Sequence, residues 1–259
     1  MNVKNQAQFR YSVVVPTVGE NLLSQTLVSV LSQSIEPCEV LVVDDSIGQD
    51  IELEGIKVLK SGGGRGPSFS RNLGVRYASE AWIAFCDADD PWLPKKIENQ
   101  FKDILDRELD FSLTSAIFNG IVRPKTVLQP MQDPYELLYK YAHLFRSKAY
   151  LPTGSFLFNK EKINFFDESL SDRENIEFLY RSFKRGLRIG QLSSAEIIVN
   201  YKVHNSMKRF NVDLEYEWYE RLNKINTRYA KNFQIESIRN AFRTRSLIKI
   251  IGLLKLYLS

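Results

Sequence analysis

Cysteine is scarce. Cys38 and Cys86 are the only two in 259 residues, too few for a disulfide framework and without the spacing of a paired metal-ligand motif. That scarcity predicts a reducing compartment. No long apolar run exists either. The most hydrophobic stretch, 247–258, is twelve residues long and broken by Lys249, Gly252 and Lys255, whereas a helix that crosses a bilayer needs roughly 20. The N-terminus is polar and carries no apolar signal segment, which predicts a cytoplasmic protein. Repeats and low-complexity segments are missing. So is the dinucleotide-binding fingerprint, because Gly19 is the lone glycine after the first apolar run. Gly62-Gly63-Gly64-Arg65-Gly66 lacks a following Gly-Lys-Ser/Thr and reads as a flexible connection rather than a phosphate loop.

What is present is an ordinary globular composition, 44% apolar and 25% charged, in a chain long enough to bury a full core. The net charge of +4 hides an asymmetry: residues 221–259 hold nine Lys/Arg against one acid, a net +8, and leave the first 220 residues at −4. A basic tail points to an anionic surface. A nucleic-acid-binding protein would carry its positive charge on the folded face that binds, so nucleic acid is not the expected partner.

Continuous apolar runs at 11–15, 40–43, 56–59 and 82–85 predict strands buried on both faces. Helical spacing at 21–34 and 68–79, the second capped by Ser68, fills the gaps. Strand–helix alternation of this kind implies a parallel sheet flanked by helices, with ligands expected outside the carboxyl ends of the strands. Those ends carry Pro16-Thr17, Asp44-Asp45 and Asp87-Ala88-Asp89-Asp90. Further on come a helix at 93–109, a strand pair at 110–118, an extended excursion at 122–129 and an amphipathic helix at 133–147. A strand at 156–158, a helix ending at Gly186, a strand at 197–201 and a helix at 213–232 complete the reading.

The stretch from Phe85 to Trp92 organises the site. Three carboxylates in four positions at the end of a buried strand are costly unless a positive group sits among them. A divalent cation carrying phosphates would serve, and so would an acidic turn in which Asp90 caps the next helix. The stretch alone leaves both open.

Six pieces, taken in order, resemble the family-2 glycosyltransferases: Val13-Val14-Val15-Pro16-Thr17, Leu31-Ser32-Gln33-Ser34, Val42-Val43-Asp44-Asp45-Ser46, Ser70-Arg71-Asn72-Leu73-Gly74, the Asp87-Ala88-Asp89 motif with Trp92, and Phe166-Asp167-Glu168-Ser169-Leu170. The resemblance runs from about residue 11 to 207. It implies the GT-A fold, a Rossmann-like α/β architecture with a mostly parallel central sheet flanked by helices. It also implies inverting transfer from a nucleotide-sugar. The division it suggests is a glycosyltransferase domain at 1–210, with a donor half at 1–110 and an acceptor half at 111–210, followed by a helical C-terminal extension at 211–259.

By the same resemblance, Pro16, Thr17 and Glu20 lie beside the base and ribose. Asp45, or its neighbour Asp44, accepts a hydrogen bond from the base imide, which favours a UDP- or dTDP-linked donor. Arg71 and Asn72 hold the strand-end loop or the donor sugar. Asp87 faces ribose or sugar hydroxyls, and Asp89 ligates Mn²⁺ or Mg²⁺ against the diphosphate. His204, in Tyr201-Lys202-Val203-His204, resembles a segment that folds over the diphosphate, though a lone histidine is as readily structural.

The family's base is the aspartate of a Glu-Asp pair placed six residues before an arginine. Aligned on Arg181, that pair becomes Glu174-Asn175, and an amide cannot take the proton. Three options follow: Glu174 or Asp172 is the base, with Glu174 favoured; the alignment slips by one residue; or the protein binds nucleotide-sugar or glycan without transfer. A nucleotidyltransferase is disfavoured, because Pro16-Thr17-Val18-Gly19-Glu20 stands where a basic glycine-rich loop belongs. The expected acceptor is a glycan or lipid-linked glycan of surface polysaccharide synthesis. The tail at 237–259 reads equally as an interfacial helix on an anionic leaflet or as a helix packed on the domain or in a homodimer.

Overall fold

The computed structural model describes residues 9–48, 50–140, 151–199, 212–243, 251–253 and 257. An eight-stranded sheet runs through it. Its path is β3 (Lys57–Lys60), β2 (Glu39–Asp44), β1 (Tyr11–Thr17), β4 (Trp82–Phe85), β7 (Leu157–Asn159), β5 (Phe111–Phe118) and β6 (Ile121–Arg123), with β8 (Ile189–Val199) paired to β5. The pairings β3–β2, β2–β1, β1–β4 and β5–β8 are parallel. Those of β7 with β4 and β5, and of β6 with β5, are antiparallel. The sheet is therefore mixed and mostly parallel, with helices on its faces, as the α/β reading expects.

The continuous apolar runs have a simple cause. Successive side chains of a strand point to opposite faces, and both faces are covered. Val14, Leu41, Val43, Ile83 and Phe85 enter one core, under α2 (Pro67–Tyr77) and α5 (Glu174–Lys184). Val13, Val15, Val42 and Ala84 enter the other, under α1 (Leu23–Leu31) and α3 (Lys96–Arg107). Gly74 of α2 lets its helix lie directly on β1, since a Cβ there would stand 2.3 Å from Val14 Cγ1.

Several expected boundaries move. The helix expected at 93 begins at Lys96, because Leu93 N–H donates to Glu196 O and Trp92 bridges Ile197, holding both residues to β8. Asp90 does not cap it; its N–H closes a turn on Asp87 O at 3.1 Å. Ser68 does not cap α2 either, for Gly66 is the cap and Ser68 Oγ is buried without a partner. The strand pair at 110–118 is one strand, β5, turning through Asn119 and Gly120 into β6. Both turn residues have positive φ, the requirement of a tight hairpin. The helix at 133–147 is described only as α4 (Pro134–Tyr139), capped by Asp133.

The helix expected at 213–232 is two, α6 (Val212–Ile225) and α7 (Thr227–Arg243). Asn226 divides them, its Oδ1 accepting from Arg228 N–H at 2.9 Å and so capping the second. Trp218 and Leu222 of α6, with Ala230 and Phe233 of α7, join the core that also holds Phe178 of α5. In the tail, Leu253 and Tyr257 pack with Ala241 and Ile238, and Tyr257 also meets Tyr216 and Tyr219. Those two residues follow the packed alternative. Among the described residues no helix is long and apolar enough to cross a membrane.

Candidate active site

The carboxyl ends of β1, β2 and β4 and the start of α5 enclose a cavity of about 480 Å³, within the range of small-molecule sites. Pro16, Thr17, Glu20, Asp45, Arg71, Asp87, Asp89, Glu174 and Asn175 all line it. Asp44, Asn72 and Asp172 do not line it, and His204 lies outside the described residues.

At the end of β1, Thr17 Oγ1 donates to Glu20 Oε2 at 2.5 Å, and Val18 N–H donates to the same oxygen at 3.0 Å. Glu20 is thereby folded onto the strand end. One strand over, the neighbours Asp44 and Asp45 part company. Asp44 turns to its own loop, accepting from Ser46 N–H at 2.9 Å and Ile51 N–H at 3.0 Å. Burial pushes its carboxyl up; hydrogen bonds from the Ser46 side chain and from the Ser46 and Ile51 amides, with the charge of Lys60, outweigh it and leave the pKa below the ordinary value.

Asp45 faces the cavity and organises the glycine loop. Its carboxylate accepts from Ser61 Oγ, from Arg65 N–H at 2.8 Å and from Gly66 N–H at 2.7 Å. This corrects the reading of 62–66 as a flexible connection. The loop is pinned, and it needs glycine where a Cβ on Gly63 would sit 2.9 Å from Ser46 O. A carboxylate offers about four lone-pair directions. Three are used by the loop, so room for one further donor remains.

Arg71 is the central cation. Its Nη2 lies 2.8 Å from Asp87 Oδ1 and its Nη1 3.4 Å from Glu174 Oε1. Asn72, the next residue, points the other way. Its Nδ2 donates to Phe166 O and Glu168 Oε1, while Phe166 N–H donates to its Oδ1. Of the two roles expected for Arg71 and Asn72, the described contacts of Asn72 are those of loop holding, and the loop held is 166–168.

Asp87 has a second support that the sequence reading missed. Gly154 N–H donates to Asp87 Oδ2 at 3.2 Å, in a short turn at Thr153–Ser155 that also brings Pro152 and Thr153 to the cavity wall. The signal was the Pro152-Thr153-Gly154-Ser155 run ahead of a strand. Behind the turn, Gln100 Nε2 donates to Ser112 O and Ser155 O, each at 2.9 Å, and its Oε1 accepts from Lys96 Nζ at 2.8 Å. Lys96 is wholly buried, its ammonium 3.9 Å from the centre of the Trp92 ring. Burial lowers its pKa to about 7.

The base candidates separate in space. Glu174 opens α5, lines the cavity and pairs with Arg71 at 3.4 Å. Asn175 Nδ2 donates to Leu151 O at 2.7 Å, latching α5 to the chain before the Gly154 turn. Asp172 pairs with Arg173 at 2.8 Å and faces a different, very small cavity against α6. Among the described residues no three acidic, histidine or cysteine side chains cluster as a self-sufficient metal site. The donor set that is present is the buried carboxylate of Asp89 beside Asp87, which suits a hard cation completed by substrate phosphates.

The sequence profile of glycosyl transferase family 2 matches residues 12–183, well over half of the chain. The chain belongs to that family. Among family relatives, the segment is 32% identical over 108 residues to the Escherichia coli UDP-Glc:alpha-D-GlcNAc-diphosphoundecaprenol beta-1,3-glucosyltransferase WfgD, covering 39% of this chain and 43% of WfgD. It is 32% identical over 113 residues to the putative teichuronic acid biosynthesis glycosyltransferase TuaG of Bacillus subtilis, covering 40% of this chain and 45% of TuaG. The match therefore spans less than half of either relative. The crystal structure of S. aureus TarS 1-349 in complex with UDP-GlcNAc superposes with a TM-score of 0.63 at 19% identity, over 95% of this chain and 79% of TarS 1-349. That likeness shows the shared GT-A fold.

Proposed function

We propose that this family 2 protein transfers a single sugar, with inversion, from a UDP- or dTDP-linked donor to a glycan or lipid-linked glycan acceptor in surface polysaccharide synthesis. One observation carries the reading: Asp45, Asp87 and Asp89 line the same cavity as Glu174, so the groups read as holding the donor and the carboxylate read as the base wall a single space. The named activities of WfgD and TuaG support the substrate class.

In this reading Asp45 uses its remaining lone pair on the base, Thr17 and Glu20 border the ribose, and Asp87 holds sugar or ribose hydroxyls. Glu174 takes the proton of the acceptor hydroxyl as its oxygen bonds to the anomeric carbon. The bond from that carbon to the donor phosphate breaks, and its electron pair leaves on the diphosphate. Asp89 would hold Mn²⁺ or Mg²⁺, which when bound neutralises charge on the diphosphate. His204 is kept in the proposal as a diphosphate contact.

The test measures transfer by Glu174→Gln, Asp172→Asn and Asn175→Asp. Glu174→Gln is expected to lose roughly a hundredfold or more and Asp172→Asn little; full activity in Glu174→Gln would overturn the assignment. The latch formed by Asn175 favours a second reading, a donor-binding protein that lost transfer. No turnover by the unmodified chain with any donor it binds would establish it.

The +8 charge of 221–259 supports contact between the tail and an anionic membrane from the cytoplasmic side. Sedimentation with liposomes of graded anionic content tests this, and binding that ignores lipid charge and salt would refute it. Sedimentation velocity without lipid tests the homodimer alternative.

A further inference from the structure

We propose that Arg173 and Glu215 form a positioning pair through which the C-terminal helices set the place of Glu174 in the cavity. The inference rests on Glu174 being the base.

Arg173 immediately precedes Glu174 and has a φ of +58°, a left-handed conformation that a non-glycine residue holds only when its surroundings enforce it. Its carbonyl starts α5, accepting from Ile176 N–H at 3.0 Å and Glu177 N–H at 3.1 Å. The enforcement comes through the side chain. Nη2 lies 2.5 Å from Glu215 Oε1 on α6, Nη1 lies 2.8 Å from Asp172, and the guanidinium sits 5.0 Å from the centre of the Phe233 ring on α7. Burial opposes the charge, and the carboxylates of Glu215 and Asp172 outweigh it, so the pKa is raised.

The second oxygen of Glu215 accepts from Ser237 Oγ at 2.6 Å, so both C-terminal helices hold the pair. Neither Glu215 nor Ser237 lines the cavity, and both lie beyond the family-matched residues 12–183. A part of the chain outside the matched domain thus fixes the backbone one residue before the base. Released, Arg173 would relax to negative φ and swing the first turn of α5.

The test uses the full chain. In Glu215→Gln, kcat is expected to fall about tenfold to a hundredfold, as for a misplaced catalytic group, with UDP affinity by calorimetry within about twofold of the parent. The Ile176 and Glu177 amides should exchange with solvent about tenfold faster, with those of β1 unaltered. Arg173→Ala removes the enforcing side chain and keeps the cost of the positive φ, so it should lower kcat in the same way with the unfolding transition still cooperative. The double variant Glu174→Gln/Glu215→Gln should be no slower than Glu174→Gln alone.

Parental kcat with unaltered exchange at 176 and 177 in both single variants would overturn the proposal. So would a loss confined to melting temperature, or a double variant whose losses multiply. Should Glu174→Gln itself retain full rate, the base assignment fails, and exchange at 176 and 177 still decides whether the pair holds the turn.

Discussion

Asp87 and Glu174 both line the cavity and share one cation. The guanidinium of Arg71 reaches both, at 2.8 Å and 3.4 Å. Asp87, just after β4, and Glu174, at the start of α5, are thereby tied to one side chain of α2.

Removing that cation takes from Asp87 and Glu174 the charge partner they share, with the Gly154 N–H left to Asp87. Deleting one partner of a buried ion pair costs about 3–5 kcal/mol; the partial exposure of Asp87 reduces the expectation for Arg71→Met to about 2–3 kcal/mol. Urea denaturation measures it, and a loss below about 1 kcal/mol would show that the pairs are not held through Arg71.

Asp89→Asn keeps the shape of the side chain and removes its charge. Transfer is expected to fall roughly 10²–10³-fold. Chelation with EDTA should stop the parent enzyme and Mn²⁺ should restore it. An enzyme indifferent to chelator after exhaustive dialysis would count against the metal.

Gly74→Ala sets helix preference against packing. Alanine gains about 1 kcal/mol in a helix, but its Cβ would meet Val14 at 2.3 Å. Overpacking dominates, and a net loss of about 1–2 kcal/mol is expected. Adding Val14→Ala should make the double variant more stable than the sum of the single losses; strict additivity would place the strain elsewhere.

Lys96 sets a pH dependence. Its pKa falls from 10.5 to about 7 in the folded chain, chiefly through burial, with Cys86 and Glu196 acting in the opposite sense. Between those values the unfolded chain binds the proton and the folded one does not. Stability from this group therefore rises with pH, by up to about 1.4 kcal/mol per unit, and is at its least below pH 7. Lys96→Met removes the contribution. Denaturation of both proteins at intervals from pH 6.5 to 9.5 should show the steeper rise in the parent, and equal slopes would refute the assignment.

Local chemistry made much of the molecule readable in one dimension. A short β-branched run such as Val13-Val14-Val15 favours a strand covered on both faces, and the acids that follow β2 and β4 then gather where parallel strands end. For that reason Asp45, Asp87 and Asp89 were legible as candidates, whereas Glu174 was legible only through the family resemblance, aligned on Arg181. Boundaries were lost where a distant strand overrode local preference, as β8 did in holding Trp92 and Leu93 out of α3.

Direction and partnership were decided in three dimensions. Asp44 and Asp45 are equivalent in the sequence, yet adjacent residues at a strand end point to opposite sides, so only one enters the cavity. Asn175 is an amide whose partner, Leu151, lies 24 residues earlier, ahead of β7. Asp172 lies two residues before Glu174 but faces α6, the left-handed Arg173 standing between them. Composition and periodicity determine which elements form and which residues must avoid water. Where a carboxylate points is settled by cations and amides brought from elsewhere in the chain, and their positions exist only once the sheet has closed.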